Sequence, residues 1–312
     1  MLSNNAQALL KGWIAAASPV VEKVYGTSEA SWPEVRARYM QGLENLFPAF
    51  EGVSYQTVMS GNTPAMLSEP DAGAGDAVVL YLHGGGYVHG GVEAYRGLTG
   101  RLATALNARV YTPDYRQAPE YPFPTPVDDA FSAYRALLES GIRPENLVLV
   151  GDSAGGAMVV TMMRKARDAG IPLPAAGVSL SPWADLTHSG SSATTRDGID
   201  PLCSVAFLTR LARCFLAGER PGHPDASPVY ANVEGLAPIL IQIGENEVML
   251  SGATRLAANL GEARVRTTLE VWPGMFHVWH LLAGVLPEAD QALHNAIRFL
   301  ESALANEKAP AR

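Results

Sequence analysis

At 312 residues, with 47 % hydrophobic and 17 % charged residues, the chain is long and apolar enough to bury a large core, which excludes a disordered protein. A formal net charge of −8 without a basic patch argues against nucleic acid or an anionic membrane as partner. Two cysteines and seven histidines leave little room for a metal cluster and show no zinc-type spacing, so no metal is expected.

Residues 1–50 read as helices. Leu10, Trp13 and Ile14 recur at helical spacing, and Ser31 before Trp32-Pro33-Glu34 reads as an N-cap with proline in the first turn. The apolar stretch 9–21 follows no basic region and is interrupted by Lys11, which does not suit a signal peptide. No stretch approaches a membrane span, and a soluble cytoplasmic protein is expected. Helices ahead of any strand are an addition to a core fold, expected here as part of a cap over the active site.

Residues 53–67 hold two modest strand candidates, expected as an antiparallel edge, and Asp71-Ala-Gly-Ala-Gly-Asp76 is a turn. Strand and helix patterns then alternate. Ala77-Val-Val-Leu-Tyr-Leu is a buried strand ending in His83-Gly84-Gly85-Gly86-Tyr87. A helix near 93–106, a strand at 110–113 and a Pro-rich loop at 114–124 follow. Asp128 and Asp129 open a helix to about Ser140, where their charge suits the N-terminal dipole. Leu147-Val-Leu-Val, then Gly151-Asp152-Ser153-Ala154-Gly155-Gly156, then an apolar run to Met163 read as strand, sharp turn and helix.

A strand over 177–181 closes with Pro182-Trp183, and the alternation stops over 184–236. This insertion sits where a lid would sit. Its apolar helix, around 205–216, falls in a segment that also holds Cys203 and Cys214; on one continuous helix they lie about 16 Å apart, too far for a disulfide. Both are expected as thiols in a reducing compartment. Alternation resumes with strand 238–243, helix 251–260 stopped by Gly261, strand 265–271 and a final helix 288–305; the tail 306–312 reads as frayed. Repeated strand–helix units predict an α/β fold, with a mostly parallel central sheet covered by helices on both faces and ligands beyond the carboxyl ends of the strands.

The motifs fall at those ends. A strand turning straight into a helix strains the residue at the apex, Ser153, and brings the chain too close for side chains at Gly151 and Gly155. The serine hydroxyl is thereby presented as a nucleophile. Attack on an ester develops negative charge on oxygen, which the bare N–H groups of Gly84–Gly86 and the Ala154 N–H at the helix start suit. A serine nucleophile needs a base, and the base an orienting acid. Glu245 and Glu247 compete for the acid; Glu247 precedes an apolar run and is favoured, with Glu245 a solvated charge. His277 and His280 compete for the base; His277, a short turn after the last strand, is favoured. His83 braces its loop. His89, His188 and His223 read as ordinary loop or cap residues, although His188 could face the pocket.

As a set, these residues resemble the hormone-sensitive-lipase-like branch of bacterial esterases. The matching segments are His83-Gly-Gly-Gly, Asp114-Tyr-Arg-Gln-Ala-Pro-Glu-Tyr-Pro-Phe-Pro, Gly151-Asp-Ser-Ala-Gly-Gly, Ser181-Pro-Trp-Ala-Asp-Leu and the Glu247 and His277 loops. The resemblance implies an α/β-hydrolase core (51–183 and 237–312) and a helical cap built from 1–50 and 184–236. It also implies an oxyanion hole from the N–H groups of Gly85, Gly86 and Ala154. The expected activity is a cofactor-free serine carboxylesterase working through an acyl-enzyme, with Ser153, His277 and Glu247 as its triad. One departure is Glu247-Val-Met where most members carry Asp-Pro-Leu. Tyr115, Arg116, Glu120 and Asp129 match positions read as structural.

Trp13, Phe207, Leu208 and Phe215 line a pocket for substrate or form the cap's own core, and a small cap favours short- to medium-chain esters. A binding protein on the same fold is the competing reading, and such proteins lose the histidine that is present here. Amide or lactone hydrolysis, or acyl transfer, would use the same site. Resemblance also suggests a homodimer through the last strand, 265–271. There Arg264, Arg266 and Glu270 either blunt the edge or pair across a two-fold axis.

Overall fold

The computed structural model describes residues 2–306. Three helices come first: α1 (Asn4–Ala16), α2 (Ser18–Tyr25) and α3 (Trp32–Leu46). Ser31 caps α3 in a reciprocal box, its hydroxyl facing the Glu34 N–H while Glu34 Oε2 accepts from the Ser31 N–H at 2.8 Å. An eight-stranded sheet follows, in the order β1-β2-β4-β3-β5-β6-β7-β8. β1 (Val53–Ser60) and β2 (Thr63–Pro70) form the antiparallel edge. β3 (Val78–Leu82), β4 (Arg109–Pro113), β5 (Leu147–Asp152), β6 (Ala176–Leu180), β7 (Ile239–Gly244) and β8 (Thr267–Trp272) run parallel.

The apolar strands are buried on both faces because successive side chains alternate between two cores. Leu80, Leu82, Leu147 and Leu149 join one core with α5 (Thr125–Glu139), α6 (Ala154–Asp168) and α9 (Leu250–Glu262). Val79, Tyr81, Val148 and Val150 join the other with α4 (Arg96–Leu106) and α10 (Pro287–Asn306). Between β6 and β7 lie the short α7 (Ser192–Thr195) and α8 (Val205–Leu216), and α8 packs against α2.

Several local expectations are corrected. α5 begins at Thr125, upstream of the two aspartates; Asp128 is in its first turn, while Asp129 is buried and grips the Arg116 guanidinium. Cys203 precedes α8, whose N-cap is Ser204, so the two free cysteines do not share a helix. α9 runs through Gly261 to Glu262, and the chain turns at Arg264, whose φ is +63°. β8 starts at Thr267, leaving Arg264 and Arg266 outside the strand. Glu270 accepts from Gln242 Nε2, Trp272 Nε1 and Asn295 Nδ2, so both of its carboxylate oxygens are engaged within the chain and it turns inward from the edge. Of the tail read as frayed, 307–312 lie outside the described residues.

Candidate active site

Ser153 stands between β5 and α6 with φ 53° and ψ −119°, a conformation that L-residues rarely adopt. The turn is tight enough that a Cβ on Gly155 would overlap the Leu82 carbonyl, and one on Gly151 the Gly155 carbonyl. His277 Nε2 lies 2.9 Å from Ser153 Oγ, and its Nδ1 lies 2.8 Å from Glu247 Oε2. Glu247 is fully buried, and its other oxygen accepts from Ser181 Oγ (2.7 Å) and the Gly244 N–H (2.6 Å). Burial opposes a charge on His277. The Glu247 hydrogen bond and charge, joined by Asp200 and Asp152, outweigh it and raise the imidazole above its ordinary pKa.

Neither rival holds this position. Glu245 is exposed, and its carboxylate accepts from the Gly274 N–H at 2.9 Å, tying down the histidine loop. His280 is fully buried and bonds Gln242 Oε1 through Nε2 at 3.0 Å; burial pushes its pKa down to about 3.

The glycine loop after β3 faces the serine. Gly85 and Gly86 have φ of +114° and +60°; a Cβ on the first would overlap the His89 carbonyl, and on the second would press Leu211 Cδ1 at 2.8 Å. Among the described residues, no acceptor takes the N–H of Gly85, Gly86 or Ala154. The loop is anchored one residue earlier, where the Gly84 N–H donates to Asp152 Oδ1 and to the Tyr95 hydroxyl, both at 3.0 Å. Asp152 also accepts from Tyr81 and Tyr95; burial nevertheless pushes its pKa up to about 6. His83 stacks on Tyr115 and keeps its Nδ1 2.7 Å from the Gly84 carbonyl oxygen.

These groups open on a cavity of about 70 Å³ lined by Trp13, Phe207 and Leu208 among others. Phe215 is not on its wall: it is fully buried and stacked on Tyr87 at 3.8 Å between ring centres, which corrects its assignment to the pocket. His188 is also elsewhere, accepting from Trp183 Nε1 at 3.0 Å, whereas His89 does line the cavity. A larger hollow of about 390 Å³ beside residues 46–51 and 280–285 contains no nucleophile.

Two supporting residues were given no role from the sequence, Ser181 appearing there only as the start of a matching segment. Ser181, at φ +46°, donates to Glu247 and accepts from the Val278 N–H at 3.1 Å, bridging the acid to the histidine loop. Val278 itself has φ +51°. Asp200, in the 184–236 segment, accepts from the Val248 N–H at 3.2 Å; burial pushes its pKa up to about 6. Ser181-Pro182 and Asp200-Pro201 mark turns in the sequence, but nothing local names Glu247 or Val248 as their partners, and Val278 carries no turn signal at all.

Residues 79–281 match the family model for the α/β-hydrolase fold. The chain is 47 % identical over 225 residues to an acetyl-hydrolase of Streptomyces hygroscopicus, covering 72 % of this chain and 75 % of the relative. It is 31 % identical over 260 residues to an ethyl acetate hydrolase of Pseudomonas putida, covering 80 % and 81 %. A solved esterase of the bacterial hormone-sensitive lipase family superposes with a TM-score of 0.90 at 37 % identity, over 97 % of this chain and 99 % of that one. An α/β-hydrolase by its sheet and elbow, the chain belongs to the hormone-sensitive-lipase-like carboxylesterases. It is an ester hydrolase, which removes the reading as a binding protein.

Proposed function

We propose that this carboxylesterase cleaves short- to medium-chain esters through an acyl-enzyme on Ser153, with His277 as base and then acid, and Glu247 as the orienting carboxylate. The observation that carries this reading is the unbroken chain from Ser153 Oγ through both ring nitrogens of His277 to buried Glu247. His277 takes the hydroxyl proton as Oγ attacks the carbonyl carbon, and the resulting imidazolium donates through Nδ1 to Glu247. The N–H groups of Gly85, Gly86 and Ala154 receive the developing oxyanion. Its collapse expels the alcohol, protonated by His277. A water deprotonated by the same ring then attacks the acyl carbon and frees Ser153.

In this reading α1–α3 and residues 184–236 act as the cap, since both contribute cavity wall. The small volume, closed by Trp13, Phe207 and Leu208, supports short acyl groups, as do the names of the acetyl-hydrolase and ethyl acetate hydrolase relatives. The free thiols Cys203 and Cys214 suit a reducing, cytoplasmic setting. Among the described residues no helix is long and apolar enough to cross a membrane.

A chain-length series of p-nitrophenyl esters tests the reading. kcat/KM is expected to peak at short to medium acyl chains and to vanish in Ser153→Ala with the fold intact. A maximum at long chains removes the size assignment, and a Ser153→Ala protein turning over at the parental rate removes the mechanism.

We also propose a homodimer through β8. Its outer edge is unpaired in the sheet, and Leu269 and Val271 are exposed along it. With Glu270 turned inward, no charge in the strand discourages pairing with a second copy. Sedimentation at micromolar concentration is expected to give twice the mass of one chain, and a mass near 33.1 kDa excludes the dimer.

A further inference from the structure

The cavity wall contributed by α1–α3 and residues 184–236 is apolar at Trp13, Val20, Phe207 and Leu208, and a polar pair, Tyr39 on α3 and His89 on the glycine loop, lies against it. Tyr39, on α3, is 6 % exposed and lines the cavity; its hydroxyl accepts from Trp13 Nε1 at 3.3 Å. That bond uses the oxygen's lone pair and leaves the phenol proton with no acceptor among the described residues. His89, 9 % exposed, meets Tyr39 edge-to-face with ring centres 4.9 Å apart. Its backbone is pinned to the glycine loop through the Gly85 carbonyl at 2.9 Å. Its Nδ1 is sealed from solvent without a partner, so the ring's remaining hydrogen-bonding capacity toward the cavity rests on Nε2. A mostly apolar pocket with a few converging polar groups selects ligands by where their own polar atoms fall.

We propose that Tyr39 and His89 form a specificity subsite for esters bearing a second oxygen, as an ether, hydroxyl or carbonyl, a few atoms beyond the scissile ester group. The subsite rests on the reading that Ser153 attacks its substrate in this same cavity. Tyr39 O–H donates to that oxygen, and His89 Nε2 supplies the neighbouring hydrogen-bonding edge. Burial keeps both groups in the required form, pushing Tyr39 up to about 12 and His89 down to about 3, so the phenol stays protonated and the imidazole neutral at any working pH. A purely structural part for Tyr39, holding Trp13, accounts for its lone pair but leaves the unspent proton and the neighbouring free imidazole unexplained.

The second oxygen can lie in the acyl or the alcohol part, and isosteric pairs distinguish the two. The acyl arm compares p-nitrophenyl methoxyacetate with the butyrate, and the methoxypropionate with the pentanoate. The alcohol arm compares 2-methoxyethyl acetate with butyl acetate. In each pair the ratio of kcat/KM values, oxygen-bearing over alkyl, is measured for the parent enzyme, Tyr39→Phe and His89→Leu. Dividing the parent ratio by the variant ratio cancels the intrinsic reactivity that the extra oxygen confers. Tyr39→Phe is expected to lower the ratio about tenfold in one arm, mainly through KM, and His89→Leu to lower it severalfold in the same arm. Loss of packing alone lowers both members of a pair together and leaves the ratio fixed. Ratios unchanged in every pair overturn the subsite while leaving the Ser153 chemistry standing. If a variant does not fold, inhibition of the parent by a trifluoromethyl ketone and its oxa analogue decides: tighter binding of the oxa compound supports the subsite, and equal binding overturns it.

Discussion

His277 sits in a field set by three carboxylates, and that field has a kinetic signature. Its pKa is raised against the pull of burial, chiefly by Glu247 and more weakly by Asp200 and Asp152. As the proposed base His277 would work only when neutral, so kcat/KM is expected to climb with pH through that raised pKa. Removing the negative charge in Glu247→Gln disfavours the imidazolium, and the acid limb is expected to move to lower pH. kcat should fall by about 10³–10⁴-fold, because the amide neither orients the ring nor stabilises its cation. Glu245→Gln, altering an exposed carboxylate bonded to Gly274, is expected to leave the limb in place. A pH–rate profile for each variant checks this, and a limb that does not move in Glu247→Gln contradicts the assignment of the acid.

Between elements, one guanidinium joins α3 to the loops around the cavity. Arg36 Nε donates to the Val88 carbonyl at 2.8 Å, and Nη2 to the Ala118 carbonyl at 2.7 Å and to Glu120 at 2.6 Å. Val88 follows Gly85-Gly86, so this guanidinium ties the helix carrying Tyr39 to the loop carrying the bare N–H groups. Arg36→Ala strands two buried carbonyls and is expected to cost about 2–3 kcal/mol, read as a fall in Tm of several degrees. Arg36→Lys should recover little of it, since one ammonium does not reproduce the fork. An unchanged Tm in Arg36→Ala would show that the clamp contributes nothing.

For the whole molecule, buried histidines set the acid limit. His83, His89 and His280 are pushed down to about 4, 3 and 3 by burial, from an unfolded value near 6.5. Between pH 6.5 and 4 the unfolded chain binds protons there that the folded chain refuses, so stability present above pH 6.5 is lost as pH falls. Each histidine costs about 2 kcal/mol on going from pH 7 to 5. Asp152 and Asp200, raised to about 6, act the other way and return about 1 kcal/mol apiece as they protonate in the folded state. These five groups together are expected to make the protein less stable at pH 5 than at pH 7 by about 3–4 kcal/mol, with the raised His277 acting in the opposite direction, as urea denaturation at the two pH values measures. A stability that holds or rises toward pH 5 contradicts this account.

Local chemistry alone determined the alternation of strands and helices, the early hairpin, the capping of α3 and the turn at Ser153, each written in a few neighbouring residues as an apolar run, a cap or a glycine pair. That Glu247 and not Glu245 is buried was also legible, because the apolar run after Glu247 already implied it. Tertiary structure decided the rest. Ser181 reaches Glu247 across 66 positions, and Asp200 reaches Val248 across 48, and neither carries a local signature of its partner. Phe215 and Phe207 lie on the same amphipathic α8, but only packing against Tyr87 sends the first into the core while the second faces the cavity. His89 and Tyr39, in segments with no common motif, meet only because α3 docks on the glycine loop. Short-range preferences act through a residue's own backbone and neighbours, whereas a side chain's partner, burial and charge state depend on which distant surfaces close over it.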